Sequence, residues 1–450
     1  MLQFRSLSQE QPTGWHRIVG YWYKLLVERR LKYLIFAGLL IALLTALIGG
    51  DRRLASAMQI TSWQPPTRLS SSSQLTPPTW LYNLTSPQMI ADVEGNLHVI
   101  WGSWTASDPA PRPESIDTVF YTWWNGTTWS EPVDILVGPG SGPGSEVAIG
   151  DLVATTSGEL AVIWRMNSDI YLSRAQVTNA ANARSWQTTL IDSGQLGWPA
   201  LAVDPSARTW RIAYTVENRD VVVSSSLDDG ITWSDAVPVW SAPAYTSAPS
   251  SLQVYLWDEN VLHLVWTENT GMRQWMGEAI WHARISVSDT SEDLQTVDVR
   301  EVARSDTPED PTLDSPGMAN GGSSVVHLFW NNGVGSRSGR FHQFSRDLGN
   351  TWSPVSAVFA GELRGQTDKA GMVVDSTGVL HLVTSALGSD GATALRYATW
   401  KDDMWSPYQT LWPSDYPGEQ TSLVLTNGNL LHLLWYAQVS KGQNVEFVAA

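Results

Sequence analysis

The 450-residue chain contains no cysteine, which excludes disulfides and thiolate metal ligands. Positive charge is also scarce: 28 Lys and Arg stand against 44 Asp and Glu. Residues 1–53 carry 8 basic and 3 acidic side chains, leaving 20 and 41 for the remainder, a net charge near −21. Such a field keeps the protein soluble and repels nucleic acid, anionic lipid and polyanionic glycans at long range. No nucleic-acid partner is expected. Phenylalanine is sparse, 8 residues against 25 tryptophans, and long hydrophobic runs are missing with one exception.

That exception is YLIFAGLLIALLTALIGG at 33–50, uncharged and close to the roughly 20 residues that cross a bilayer as a helix. Arg5, Arg17, Lys24, Arg29, Arg30 and Lys32 precede it, so the positive-inside bias places the N-terminus in the cytoplasm. Residues 1–32, with Trp15, Trp22 and Tyr23, suit an interfacial segment, and 51–59 a linker. The rival reading is a signal peptide cleaved after Ala57, since Ala55-Ser56-Ala57 offers small residues. The anchor is preferred, because the run exceeds a usual signal core and Asp51, Arg52 and Arg53 separate it from that site. On either reading the chain from about residue 60 is extracytoplasmic, and the expected location is the cell membrane, single-pass.

Beyond the linker a pattern recurs. Its copies are LHVIW (97–101), LAVIW (160–164), WRIAY (210–214), LHLVW (262–266), VHLFW (326–330), LHLVT (380–384) and LHLLW (431–435). A turn-rich segment such as DVEGN or DSTGV precedes most copies, with an apolar stretch before it. Downstream come a further strand, such as TVFYTWW or LRYATW, and a tryptophan signature such as TWSEPV or TWSDAV. The unit is four antiparallel strands. A lone four-stranded sheet cannot keep both faces dry, whereas units stacked radially cover one another. The expected fold is all-β, a seven-bladed β-propeller (six-bladed as the alternative) over residues 60–450, behind an N-terminal transmembrane helix. Tryptophans of the outer strands are expected to fill the widest gaps between blades. The last unit ends after three strands, while SWQPPTRLS (62–70) is a fourth strand with no preceding three. Residues 60–69 are therefore expected to pair with 444–450 and close the ring.

Residues 226–234 read SLDDGITWS and 345–353 read SRDLGNTWS. Both fit Ser-x-Asp-x-Gly-x-Thr-Trp, which resembles the Asp-box, or BNR, repeat of sialidases and related propellers; WNGTTW (124–129) and WKDDMW (400–405) look like eroded copies. The motif is a turn device. Asp228 and Asp347 can accept backbone N–H bonds, Gly230 and Gly349 permit positive φ, and Trp233 and Trp352 anchor the hairpin begun by Ser226 and Ser345. In the resembled family such turns lie opposite the active face. This motif is therefore read as scaffold.

Chemistry is expected at the other face, where loops from second to third strand and between units gather. Those loops hold Arg112, Arg165, Arg219, Arg273, Arg304, Arg337 and Arg364, a candidate local anion pocket in an acidic domain. The resemblance to sialidases implies an arginine clamp, a Tyr nucleophile activated by Glu, and an Asp acid. By loop position the candidates are Arg165, Arg273 and Arg337 for the clamp, Tyr436 with Glu268 for nucleophile and base, and Asp108 for the acid. The family's Arg-Ile-Pro motif is absent, Thr67-Arg68-Leu69 standing nearest to it. Trp104, Trp275 and Tyr436 offer aromatic faces for sugar rings or protein hot spots. His98, His263, His327, His381 and His432 recur at one strand position and read as scaffold, while His282 and His342 on third strands draw more interest. No cofactor is expected, though the Asp-rich 306–314 could hold a structural Ca²⁺. The reading that results is a membrane-anchored glycan- or protein-binding module. The alternative is a sialidase-like glycoside hydrolase or a polysaccharide lyase.

Overall fold

The computed structural model describes residues 63–69, 87–103, 118–137, 147–204, 208–243, 247–257, 260–270, 277–288, 290–306, 312–322, 324–332, 339–358, 369–387, 393–412, 418–426, 429–438 and 445–449. All lie in one compact unit, Ser62–Ala450. The segments 1–32, 33–50 and 51–59 lie outside the described residues. Among the described residues no helix is long and apolar enough to cross a membrane.

The described chain is all-β and antiparallel, and the sequence repeat becomes a repeat of four-stranded meanders. The first runs Gln88–Ala91, Leu97–Ser103, Thr118–Trp124, Val133–Val137; the second Val147–Ala154, Glu159–Met166, Asp169–Gln176, Gln187–Asp192; the third Leu196–Val203, Trp210–Val216, Asp220–Ser226, Val237–Ser241. The fourth is Ser247–Trp257, Val261–Thr270, Gly277–Ser286, Thr296–Arg304, and the fifth Leu313–Gly322, Val325–Asn332, Gly339–Ser345, Ser356–Ala357. These two are joined by a single pair, Gly277 with Leu313. The sixth comprises Gly371–Val374, Leu380–Leu387 and Thr393–Lys401, with Met404–Trp405 and Gln409–Leu411 both on its third strand.

The seventh unit takes Gly418–Thr426, Leu430–Gln438 and Val445–Ala449 from the end of the chain. Its outermost strand is Thr67–Arg68, pairing Thr67 with Ala449 and Arg68 with Val448. Trp63, just ahead of that strand, lies edge-on to Tyr397 and Trp412, with ring centroids 5.6 and 5.9 Å away, and Trp412 in turn stacks on Trp435 at 5.0 Å. The first strand of each unit adjoins the first strand of the next, and Gly418–Thr426 returns against Gln88–Ala91. The inner strands thus surround a central channel.

Second strands are apolar on both sides because a neighbouring sheet covers each face; Glu159–Met166 is buried at six of its eight positions. Trp101, Trp164, Trp266 and Trp435 at their ends are 0–1% exposed. Burying one indole removes roughly 150–250 Å² from water, about 4–6 kcal/mol as an upper bound. On the outer strands Trp129, Trp233, Trp352 and Trp405 are half-buried, since an outer strand borders solvent, and as expected they pack into apolar clusters shared by two adjacent units; Trp186 is buried the same way.

The recurrent second-strand histidines are scaffold with defined partners on third strands or turns. His98 Nδ1 lies 2.7 Å from the Tyr121 hydroxyl and Nε2 3.2 Å from Asp92. His381 repeats this with Tyr397 at 2.7 Å and Asp375 at 3.3 Å. His263 and His327 face His282 and His342 across their sheets at 3.0 and 3.1 Å, and His432 meets Thr426 Oγ1 at 2.8 Å.

Candidate functional site

Inner strands of five units carry a β-bulge at one place, where the register shifts between Ile149 and Leu152, Gly197 and Ala200, Ser250 and Gln253, Asp314 and Gly317, and Glu419 and Ser422. Four of these bulges hold a non-glycine residue in the left-handed region: Trp198 (φ 49°), Ser251 (φ 52°), Ser315 (φ 50°) and Gln420 (φ 54°). Each costs about 1–2 kcal/mol relative to ordinary backbone. Bulges bend a strand and re-aim its side chains. Here they turn polar groups toward the axis.

One cavity of about 170 Å³ is lined by Asp151, Gln253, Tyr255, Ser315, Gly317, Lys369, Gly371 and Ser422 among others. A second adjoins it through Gln253, Ser315, Pro316 and Lys369, and adds Gln88, Trp198 and Ser251. Asp151 and Lys369 line the cavity and are only partly exposed. Burial pushes the Asp151 carboxyl above its ordinary range, opposed by the Lys369 charge and by the Leu201 N–H, which donates to Oδ2 at 2.9 Å. Burial likewise pushes the Lys369 ammonium down, with Asp151 opposing. The two charges sense each other, but no direct ion pair within 4.0 Å forms between them. Tyr255, also raised by burial, accepts the Met318 N–H at 3.1 Å.

The candidates placed by loop position fare unevenly. Trp104, Asp108, Arg273, Trp275 and Arg337 lie outside the described residues, as do Arg112 and Arg364. Tyr436 stands in the strand Leu430–Gln438 of the seventh unit, opposite Glu419 and Phe447. Glu268 belongs to the fourth unit and lies inside a strand, not a loop, because Val261–Thr270 continues past its apolar core to pair Glu268 with Ala279. Its carboxylate is 2% exposed, accepts the Trp281 indole N–H at 2.8 Å and lies 3.8 Å from Arg304. Arg304 is also in a strand and is ion-paired with Glu278 and Glu301. Its charge is thereby spent within its own sheet and is not offered to an anion. Arg165 closes the strand Glu159–Met166, where its guanidinium donates to the Asn167 carbonyl of its own hairpin.

The two nine-residue turns have matching geometry. The Ser226 hydroxyl donates to Asp228 at 2.9 Å and accepts the Gly230 N–H at 2.8 Å. Asp228 Oδ1 accepts the Thr232 N–H at 2.8 Å, and Oδ2 the Thr232 hydroxyl at 2.7 Å. Ser345, Asp347, Gly349 and Thr351 repeat every one of these contacts within 0.1 Å. Trp233 and Trp352 donate their indole N–H to the carbonyls of Gly230 and Gly349. Hydrogen bonds from Thr232 hold the Asp228 carboxyl down to about 2. In WNGTTW the Asn125 amide oxygen takes the Asp place, accepting from Thr127 and Thr128 N–H at 3.0 and 2.9 Å. Both carboxylate oxygens of each Asp are thus engaged inside the turn.

Sequence reasoning missed Asp151, Lys369 and Tyr255. The available signal was a charge inside an apolar inner strand, AIGDLVA, and another just ahead of one, DKAGMVV. Among the described residues no cluster of three or more His, Asp or Glu could hold a metal ion; residues 307–311 of the Asp-rich segment lie outside them.

No protein-family model matches the chain, and no curated protein matches it. Solved structures do resemble it. An ulvan lyase, of a family of polysaccharide lyases, aligns with TM-score 0.57 at 9% identity over 85% of this chain and 95% of its own. The same lyase bound to a saccharide gives 0.55 at 10% identity, over 85% and 95%. The NanB sialidase from Streptococcus pneumoniae gives 0.45 at 12%, over 88% and 71%. These neighbours are β-propellers, and at such identity the lyase likeness shows the fold alone.

Proposed function

We propose that residues 60–450 form a seven-bladed β-propeller of the Asp-box type, held at the cell membrane by the segment 33–50 with its N-terminus cytoplasmic, and that the channel mouth binds a glycan outside the cell. The ring of inner-strand neighbours and the pairing of Thr67 with Ala449 support seven blades over six. The observation that carries the ligand class is the channel itself. It is an open cavity with amide, hydroxyl and charged groups beside the half-buried indole of Trp198, and sugar ligands require convergent polar groups beside an apolar face. The likeness in fold to a lyase whose solved structure holds a saccharide agrees with that reading.

Binding is favoured over turnover because the Glu268 carboxylate, the proposed base, is already engaged by Trp281 and Arg304. The test is a glycan array probed with fragment 54–450, paired with hydrolysis of a fluorogenic sialoside. Glycan binding without turnover supports the module. Turnover that is lost in both Tyr436→Phe and Arg165→Ala would replace it with a sialidase-like hydrolase.

A further inference from the structure

Asp151 and Lys369 are not part of the repeat. At the bulge place that Asp151 holds, the other units carry Pro199, Leu252, Pro316 and Thr421, so the scaffold has no need of a charge there. Desolvating two charges is costly unless geometry repays it by direct pairing. Here the pairing is not made: the ammonium and carboxylate face one cavity without touching. Asp151 keeps one oxygen on the Leu201 N–H. Lys369 has no side-chain hydrogen bond or ion pair among the described residues. A third group points the same way. Ser315 is 4% exposed, is held at positive φ, and its hydroxyl is buried in the cavity wall without a hydrogen-bond partner.

We propose that this channel is a binding site for a small zwitterion, a molecule carrying an ammonium and a carboxylate on one short chain, with its carboxylate on Lys369 and its ammonium on Asp151. A lone anion would neutralise Lys369 but meet repulsion from Asp151, and a lone cation would face the converse. A neutral sugar would satisfy hydrogen bonds while leaving both charges desolvated. Only a ligand with both ends cancels both charges, and the Ser315 hydroxyl in the same wall offers it a hydrogen bond. The cavity of about 170 Å³ admits a molecule of a few heavy atoms. The site shares Gln253, Ser315, Pro316 and Lys369 with the cavity on which the glycan reading rests, and its test needs no glycan, so the two readings fail separately.

The test is calorimetric titration of the full-length protein at neutral pH with ω-amino acids of increasing length, from glycine to 6-aminohexanoate. Acetate, propylamine and glucose serve as controls. One or two chain lengths should bind at least roughly tenfold more tightly than any control. Lys369→Gln and Asp151→Asn should each remove that preference, and Ser315→Ala should weaken it. Three outcomes overturn the proposal: no member of the series binding at about 10 mM, acetate or propylamine binding as well as the best zwitterion, or unchanged binding in both charge variants. The chain-length series needs no variant, so a misfolded Lys369→Gln protein leaves the question decided by the wild type.

Discussion

His263 Nδ1 stands 3.0 Å from His282 Nε2, the two rings stacked and buried beneath a turn that belongs to the next unit. Trp352 of that turn lies edge-on to His282 at 5.2 Å, Arg300 covers its indole at 4.4 Å, and Arg284 donates to the Leu348 carbonyl at 2.9 Å. The same arrangement recurs one unit on, where Trp400 and Trp405 pack on the pair His327 and His342. These two turns are therefore clasps between adjacent sheets. Their floor is an uncharged imidazole pair.

That floor predicts how stability depends on pH. Burial holds His263 down to about 3, with Arg284 adding to the effect, and His327 down to about 4, with Arg346 adding. His282 and His342 are pushed well below 6.5, first by burial and then by their partner imidazoles. Folded values below unfolded ones mean that the unfolded chain takes up protons first, so stability is complete above about 6.5 and falls as pH descends toward 3. At pH 5 a group like His263 costs about 2 kcal/mol. Asp228 acts in a different window, losing its contribution only between 3.8 and about 2. The melting temperature should drop by several degrees between pH 7.5 and 5, and His282→Phe should flatten the slope. A level profile across that interval would contradict the clasp.

Glycines in the turns should not be equivalent. Gly349 (φ 82°) would place an added Cβ 3.1 Å from His263 and 3.3 Å from His282, and Gly230 (φ 74°) would bring one within 2.9 Å of Trp210 in its own sheet and 3.3 Å of Leu172 in the preceding one. Gly158 (φ 76°) has nothing within 4 Å. Gly158→Ala should thus cost only the left-handed penalty, about 1–2 kcal/mol, whereas Gly230→Ala and Gly349→Ala should cost about 1–3 kcal/mol more from overpacking. Denaturant midpoints of the three variants decide it, and equal losses would show that the clasp does not touch the neighbouring sheet.

How much of this could be read from the sequence depended on range. The turns at Asp228 and Asp347 were legible because their hydrogen bonds close within four residues, so a short motif contains the whole structure. The second strands were legible because burial on both faces makes them apolar throughout. Asp151 and Lys369 were not, since 218 positions separate them, the one reading as a polar residue on a strand and the other as the end of a polar loop. The bulge between Ile149 and Leu152 that holds Asp151 is a backbone event that no residue type there announces. Glu268 and Arg304 were misplaced into loops because pairing in the fourth unit extends beyond its apolar core.

Trp63 offers a test of how the ends of the chain cooperate. It precedes the two-residue strand that pairs with Val445–Ala449, and its ring contacts Tyr397 of the sixth unit and Trp412 beside the seventh. Two residues of pairing contribute little alone, so most of the hold must come from the indole. Trp63→Ala should cost about 3 kcal/mol, nearly as much as deleting 60–69. A deletion that melts like the wild type would show that the last sheet is stable with three strands.

Glu268 distinguishes scaffold from catalysis most directly. Its Oε2 accepts the Trp281 N–H, while Arg304 retains Glu278 and Glu301 as partners whatever Glu268 becomes. Glu268→Gln keeps an acceptor for the indole and removes only a 3.8 Å ion pair, so stability should change by less than about 1 kcal/mol. Glu268→Ala strands a buried N–H and should cost about 1–3 kcal/mol. Ligand binding should survive Glu268→Gln. If that variant instead abolished a measurable turnover at unchanged stability, the carboxylate would be acting on substrate, and the assignment of Glu268 to the scaffold would have to be abandoned.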